Sequence, residues 1–175
     1  MLTNYFIIIM SRYSAGILLY SHNSEGTLCF LLGRDFRHKY SDFGGGSDIT
    51  DSCKLDTASR EFYEETCGVV SDRDLIKQRL HSAGMIQSQS FTGKPYYMYV
   101  LKVPYSDEYI TTFDIIRRHI QHKPLEQKYK EKLGLRWFTT NDIMNEHDMR
   151  TVFYDTFSQH IDSIHKLTMR KVLKH

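Results

Sequence analysis

"GGGSDITDSCKLDTASREFYEETCG" occupies residues 44–68. Three glycines open the stretch, and Glu61, Glu64 and Glu65 close it. On a helix, positions i, i+3 and i+4 share one face, and like charges at that spacing repel by a few tenths of a kcal/mol per pair. Something outside the helix must offset that repulsion. A divalent cation is one answer. The other is plain solvation on a surface helix, the commoner fate of an arbitrary EXXEE segment. Leu55, Ala58, Ser59, Phe62 and Thr66 recur at the spacing of a buried stripe, so residues 55–67 read as an amphipathic helix with the glutamates beside that stripe. Asp56 and Thr57 suit its first turn, and Gly68 suits its end.

Outward from this helix the chain reads as strands and short helices. "SAGILLYS" (14–21) and "TLCFLLG" (27–33) are apolar runs of strand length, split by "HNSEG", which has hairpin chemistry. Their continuous apolar character predicts burial on both faces. "RDFRHKYSDFGGG" (34–46) is a basic, aromatic loop ending in glycine. "SDRDLIKQRL" (71–80) reads as a turn or short helix, and "HSAGMIQSQS" and "KPYYMYVLKV" as strands joined by "FTGKP". "YITTFDIIRRHI" (109–120) has helical character, and "QHKPLEQKYKEKLG" is polar and lysine-rich. "LRWFT" (135–139) is a short strand, and "TND" caps the next turn. Apolar residues at 149, 152, 153, 157, 161, 164 and 167 predict one long amphipathic helix over residues 149–173.

The totals bound the class. A chain of 175 residues with 41% hydrophobic and 25% charged residues fits one ordinary domain, and no linker or repeat divides it. Cys29, Cys53 and Cys67 show no CxxC spacing, and their odd number argues against a disulfide framework. They read as reduced thiols in a cytoplasmic setting. Nine scattered histidines form no HExxH motif. The opening "MLTNYFIIIM" is too short for a membrane span and lacks the basic start of a signal peptide. It reads either as an edge strand or as an extension ahead of a natural start at Met10.

Gly46, "REFYEE" with Arg60 fourteen positions later, and then Gly68 and Val69 resemble the Nudix box, GX5EX7REUXEEXGU, where U is a large aliphatic residue. The flanking strands, the Trp137–Phe138 pair and a helix after it extend the resemblance over most of the chain. There are two departures. The box has a glutamate where Ser52 stands; Asp51 takes that place if the register starts at Gly45, which puts Phe43-Gly44-Gly45 on the family's aromatic-Gly-Gly. Cys67 is one residue too many before Gly68. Phe62 at the aliphatic position is a milder change.

The resemblance implies a single α/β domain, an α/β/α sandwich with a mixed sheet between helices. It implies a hydrolase that cleaves a phosphoanhydride in a nucleoside diphosphate-linked or similarly anionic substrate, with Mg²⁺ or Mn²⁺ as cofactor. Glu61, Glu64 and Glu65 are then the catalytic, metal-holding residues, Gly45 or Gly46 adds a carbonyl, and Arg60 orients a glutamate. Such hard cations take oxygen ligands, and glycine lets the backbone approach closely. Glu126 and Glu131 stand open as general bases or as solvated members of a lysine-rich segment.

Charge adds a second layer. Arg34, Arg37 and Lys39, together with Gly45 and Gly46, are candidates for binding substrate phosphates. Arg117, Arg118, His119, His122, Lys123, Lys128, Lys130 and Lys132 form a second basic region within residues 104–134, read as a charged surface insertion or as an RNA platform. The tail cations Lys166, Arg170, Lys171 and Lys174 suit a helix C-terminus. Tyr96, Tyr97 and Tyr99 alternate along a strand. The motifs of NADH, coenzyme A and ADP-ribose members are missing. Nucleoside triphosphates, dinucleoside polyphosphates, diphosphoinositol phosphates and capped RNA remain. A small, strongly anionic phosphorylated substrate is the expected partner. Two rivals stand beside it: an RNA-decapping enzyme, and a Nudix-like module that binds a nucleotide without cleaving it.

Overall fold

The first strand organises the rest. In the computed structural model, which describes residues 12–89, 93–124 and 127–169, β1 (Ser14–His22) is buried from Ala15 to Ser21, and β2 (Leu28–Asp35) from Cys29 to Gly33. Between them Asn23 Oδ1 accepts from the amides of Glu25 and Thr27 at 3.0 and 2.8 Å, and Gly26 turns the chain at φ 79°. The chain start, Glu126, Arg170, Lys171 and Lys174 lie outside the described residues.

A single extended run then crosses between two partners. β3 (Tyr40–Ser41) pairs with β2, and β4 (Phe43–Gly46) pairs with the first half of β1. The second half of β1, from Leu19, pairs with β2. β1 and β2 therefore fork, and Asp42 is the residue that steps from one arm to the other.

Helices α1 (Lys54–Thr66) and α2 (Arg73–Leu80) follow, then the antiparallel pair β5 (Gly84–Gln89) and β6 (Pro95–Lys102). β6 lies parallel to β1, so the sheet is mixed. After α3 (Glu108–Ile120) and a 3-10 turn (Gln127–Lys130), β7 (Lys132–Thr139) pairs antiparallel with β2. The chain ends its described part in α4 (Thr140–Asn145), α5 (Thr151–Gln159) and α6 (Ile161–Met169). Thr139 and Asp142 close a capping box at α4.

Strand alternation sorts the core into two layers. Ile17, Leu19, Leu31, Phe43, Tyr99 and Leu135 meet Ala58 and Phe62 of α1, Ile76 of α2 and Phe113 of α3. Leu18, Tyr20, Phe30, Met98 and Phe138 meet Ile143 of α4, Phe153 and Phe157 of α5 and Ile164 of α6. This is the expected α/β/α sandwich. Tyr96 falls in one layer, and Tyr97 and Tyr99 pack in the other.

Two expectations need correction. The tail is two helices, broken at His160 (φ −116°), whose amide reaches Thr156 O and Phe157 O at 3.2 and 3.3 Å. The break re-aims the second helix onto β5 and β6, where the side chain of Leu167 fills the space that Gly84 leaves. β7 also begins three residues earlier than the "LRWFT" pattern indicated. Its first residue, Lys132, is 2% exposed.

Candidate functional site

Helix α1 carries the site, and its two ends fix its position. At the N-terminus Asp56 accepts from Ser52 N at 3.1 Å and pairs with Lys77 of α2. At the C-terminus Cys67 and Gly68 both take positive φ, 53° and 70°, and Gly68 N reaches Tyr63 O at 3.1 Å. This is a Schellman-type exit. The extra residue, Cys67, is thus absorbed in the cap and leaves the acidic face undisturbed.

The acidic residues do not merely flank the buried stripe. Glu64 and Glu65 are themselves buried, at 5% and 4% exposure. Burial of charge demands partners, and Arg60 supplies several. Its Nε and Nη2 donate to the two oxygens of Asp51 at 3.1 and 2.9 Å. Nη1 donates to Glu61 Oε1 at 2.8 Å and Glu64 Oε2 at 3.2 Å, and Nη2 also donates to Gly46 O at 2.9 Å. Burial alone would lower the Arg60 pKa, but Asp51 and Glu61 hold the guanidinium firmly charged. Asp51 further accepts from Thr57 Oγ1 and Asp48 N, both at 2.9 Å. Ser52 is exposed. Asp51, not Ser52, therefore stands against the arginine.

Glu65 has a separate set of partners. Its Oε2 accepts from Gly44 N at 2.9 Å, and its Oε1 lies 3.3 Å from Lys132 Nζ. Burial drives its pKa up to about 8; Lys132 opposes the rise, and Glu61, Asp42 and Glu131 reinforce it. Glu61 is also pushed up by burial, against the pull of Arg60. Lys132 Nζ donates on to Ser41 Oγ at 2.9 Å and Asp42 O at 3.3 Å. Asp42 accepts a hydrogen bond from Tyr96 Oη. Burial raises the Asp42 pKa against the pull of Tyr96, Lys132 and Arg150.

The glycine run makes room for this. A Cβ at Gly45 would fall 2.6 Å from the Glu61 carboxylate, so the missing side chain is what lets that carboxylate close on the strand. Ser47 N bonds Tyr13 O at 2.9 Å. By the alternation of an antiparallel ladder, the peptide groups of Gly45 then face their partner Ala15. Gly44 and Gly46 turn theirs outward, and the contacts with Glu65 and Arg60 agree.

A cleft of about 400 Å³ opens beside the acids, walled by Arg37, Lys39, Glu65, Glu131, Lys132 and Arg150. Gly45, Asp42, Tyr96 and Arg150 line a smaller neighbouring cavity of about 130 Å³. The loop bearing Arg37 is held by Asp35 Oδ1, which accepts from Arg37 N and Lys39 N at 2.8 and 2.9 Å. Lys39 pairs with Asp148 at 2.9 Å. Phe36 is 65% exposed at the lip, with the Arg37 guanidinium 5.4 Å from its ring centre. Arg34 does not line this cleft, and its Nε is buried without a hydrogen-bond partner among the described residues. In the second basic region, α3 buries Phe113, and Arg117 Nε turns inward to Lys132 O at 3.1 Å.

Sequence reasoning brought Glu61, Glu64, Glu65 and Arg60 together and put Arg37 and Lys39 near them. It missed Asp42, Tyr96 and Arg150, and it took Lys132 for a surface cation. Among the described residues, no three carboxylates, imidazoles or thiolates stand grouped closely enough to hold a metal ion as they are. Arg60 and Lys132 provide the positive charge. No described helix is long and apolar enough to cross a membrane.

No family model matches the sequence, and no curated protein matches it. Solved structures do. An Ap4A hydrolase of C. elegans in a binary complex superposes with a TM-score of 0.53 at 17% identity, over 86% of this chain and 98% of its own. The Nudix hydrolase RenU of M. smegmatis gives 0.56 at 12%, over 90% and 89%. The pyrophosphohydrolase BsRppH of Bacillus subtilis gives 0.54 at 12%, over 95% and 87%. The chain has the fold of the Nudix hydrolases.

Proposed function

We propose that this protein is a divalent-metal-dependent pyrophosphohydrolase, with a small, strongly anionic phosphorylated molecule as substrate. One observation carries the reading. Asp51, Glu61, Glu64 and Glu65 are gathered at a glycine strand beside a cleft walled by Arg37, Lys39 and Arg150. Glu65 and a cationic wall facing one cleft, with Glu61, Glu64 and Asp51 tied beside it by Arg60, suit a ligand that brings phosphate and a metal ion together.

The donors fit magnesium or manganese by chemistry. All are oxygens, as hard cations require, and the gap at Gly45 brings the Glu61 carboxylate against the strand. Glu61, Glu64 and Glu65 would hold the ion. The Gly45 carbonyl faces Ala15 in the ladder, so of the two expected glycines it is Gly46, whose carbonyl turns outward, that would add a backbone oxygen. When bound, the ion neutralises phosphoanhydride charge and activates water for in-line attack on phosphorus.

The chain's own groups do the rest. Arg37, Lys39 and Arg150 hold phosphate oxygens through charge-assisted hydrogen bonds. Arg60 keeps Glu61 and Glu64 apart from one another's charge. Glu131, exposed on the cleft wall, receives the proton of the attacking water. Gly46 supports the site through its carbonyl on Arg60. We place Arg34 outside the direct phosphate contacts, because the cleft does not include it.

RNA is the weaker substrate reading. Arg117 bonds Lys132 O, and Lys130 Nζ bonds Lys123 O at 2.7 Å, so two of the basic residues near the end of α3 are engaged within the chain. A panel of nucleoside triphosphates, dinucleoside polyphosphates, diphosphoinositol phosphates and capped RNA, each with and without Mg²⁺, tests the proposal. Metal-dependent release of a phosphorylated product is expected. Nucleotide binding without product would make the protein a sensor, and steeply salt-dependent cleavage of capped RNA would favour the decapping reading.

A further inference from the structure

Lys132 stands out because three independent features of the backbone place it. First, β7 carries a bulge: Arg34 pairs with Gly134 while Asp35 pairs with Lys132, so Leu133 is an extra residue. Under strict alternation Lys132 would share the face of Gly134, Arg136 and Phe138, toward α4–α6. A bulge re-aims the side chains beyond it, and Lys132 faces α1 instead. Second, Gly33 opens a slot for the stem. A Cβ there would lie 2.8 Å from Lys132 Cδ and 2.9 Å from Phe43 Cε1. Third, the fork at Asp42 leaves the Asp42 carbonyl outside either ladder; Ser41 Oγ donates to it at 3.0 Å, and both oxygens accept from the ammonium.

We propose that Lys132 is a positioning residue for Glu65. The inference rests on the metal-dependent reading given above. Lys132 Nζ at Glu65 Oε1 and Gly44 N at Oε2 grip the carboxylate at both ends. Each oxygen keeps a lone pair for an ion, and the plane of the carboxylate is fixed before the ion arrives. Outer partners of this kind govern ligand orientation, and their loss costs about 10–100-fold in metal affinity or activity. A second effect has the opposite sign. An ammonium repels a neighbouring divalent ion, so a Lys132 that only crowds the site would weaken binding, and its removal would tighten it. The sign of the change decides between the two.

The probe is Mn²⁺, followed by the electron paramagnetic resonance signal of the free ion during titration of wild type, Lys132→Met and Lys132→Gln. Lys132→Met should weaken Mn²⁺ binding by about 10–100-fold. Lys132→Gln retains a donor toward Ser41 and should show a smaller loss in the same direction. Steady-state kinetics with Mn²⁺ should show kcat falling while KM for the substrate stays within about twofold. Phe113→Leu, a core change remote from the carboxylates, should lower stability and leave Mn²⁺ affinity unchanged. That separates positioning from a general structural role. Unchanged or tighter Mn²⁺ binding in the variants overturns the proposal. If Lys132→Met does not fold, Lys132→Gln carries the comparison alone. Wild type that binds no Mn²⁺ would instead remove the metal reading itself.

Discussion

Arg60 and Asp51 face each other through two parallel hydrogen bonds, Nε to Oδ1 at 3.1 Å and Nη2 to Oδ2 at 2.9 Å. The same guanidinium neutralises Glu61 and Glu64. Removing it would strand three carboxylates, and breaking a buried pair in this way costs about 3–5 kcal/mol. Arg60→Ala should lose stability of that order in a urea melt. Arg60→Lys should recover only part, because an ammonium cannot make the paired bonds. Ser52→Ala should stay within about 0.5 kcal/mol of wild type, which fixes the register of the acidic motif at Asp51.

Glu64→Gln with Glu65→Gln keeps side-chain volume and removes two of the proposed metal-holding carboxyl groups from the cluster. Stabilisation of phosphoryl charge by a metal is worth several kcal/mol, so turnover should fall by on the order of 10³-fold or more. Circular dichroism should remain native. Full activity in the double variant would refute the catalytic assignment.

Stability should depend on pH in a direction that burial sets. Glu65 titrates at about 8 in the fold against about 4.5 for a free glutamate side chain, so the folded chain holds its proton longer. That contribution is complete below about pH 4.5 and is lost as pH rises through about 8. Glu61 and Asp42, also raised by burial, act in the same direction. In EDTA, thermal midpoints should therefore fall between pH 5 and pH 9, and Glu65→Gln should flatten the curve. Saturating Mg²⁺ should lift the alkaline end, because an ion that binds only the folded state stabilises it.

Arg37 and Lys39 present charge to the cleft while contributing little to the fold. The Lys39–Asp148 pair is 40% and 58% exposed, and solvent screening leaves such pairs little weight in stability. Arg37→Gln with Lys39→Gln should raise KM about tenfold with kcat nearly unchanged, the signature of lost uniform binding. The effect should shrink as ionic strength rises. An unchanged KM would move substrate binding elsewhere.

Gly44 sits where backbone meets backbone. A Cβ there would lie 2.4 Å from Gly16 Cα and 2.7 Å from Ala15 O, with no flexible atom to yield. Gly44→Ala should cost at least about 1–3 kcal/mol. Gly134→Ala, with nothing within 4 Å of its Cβ position, should be nearly neutral and is the matched control.

How much of this was legible beforehand depends on how local each signal is. The apolar runs of β1 and β2 and the stripe of α1 are local patterns, and both survive in the structure. The tail helix was misjudged because period 3.6 cannot register a single non-helical residue at His160. The preference for Asp51 over Ser52 comes from the family resemblance, through the register that sets Phe43-Gly44-Gly45 on an aromatic-Gly-Gly, and the arginine geometry agrees. Lys132 was unreadable: it lies in a lysine-rich stretch, and only a bulge, a glycine on a neighbouring strand and the step at Asp42 send it inward. Tyr96 and Asp42 are 54 residues apart in sequence, and no periodicity links them.

Regular pairing breaks where the segment through Asp42 leaves one neighbour and joins another. Backbone at such a junction has no repeating lattice to satisfy it, so polar side chains must be recruited from distant parts of the chain. The result is a run of hydroxyl, carboxylate and ammonium groups that links buried Tyr96 and Asp42 through Lys132 to Glu65. Any change that eased the splay of those strands would thus be felt as a shift in charge at the acidic face of α1, even with every acidic residue left in place.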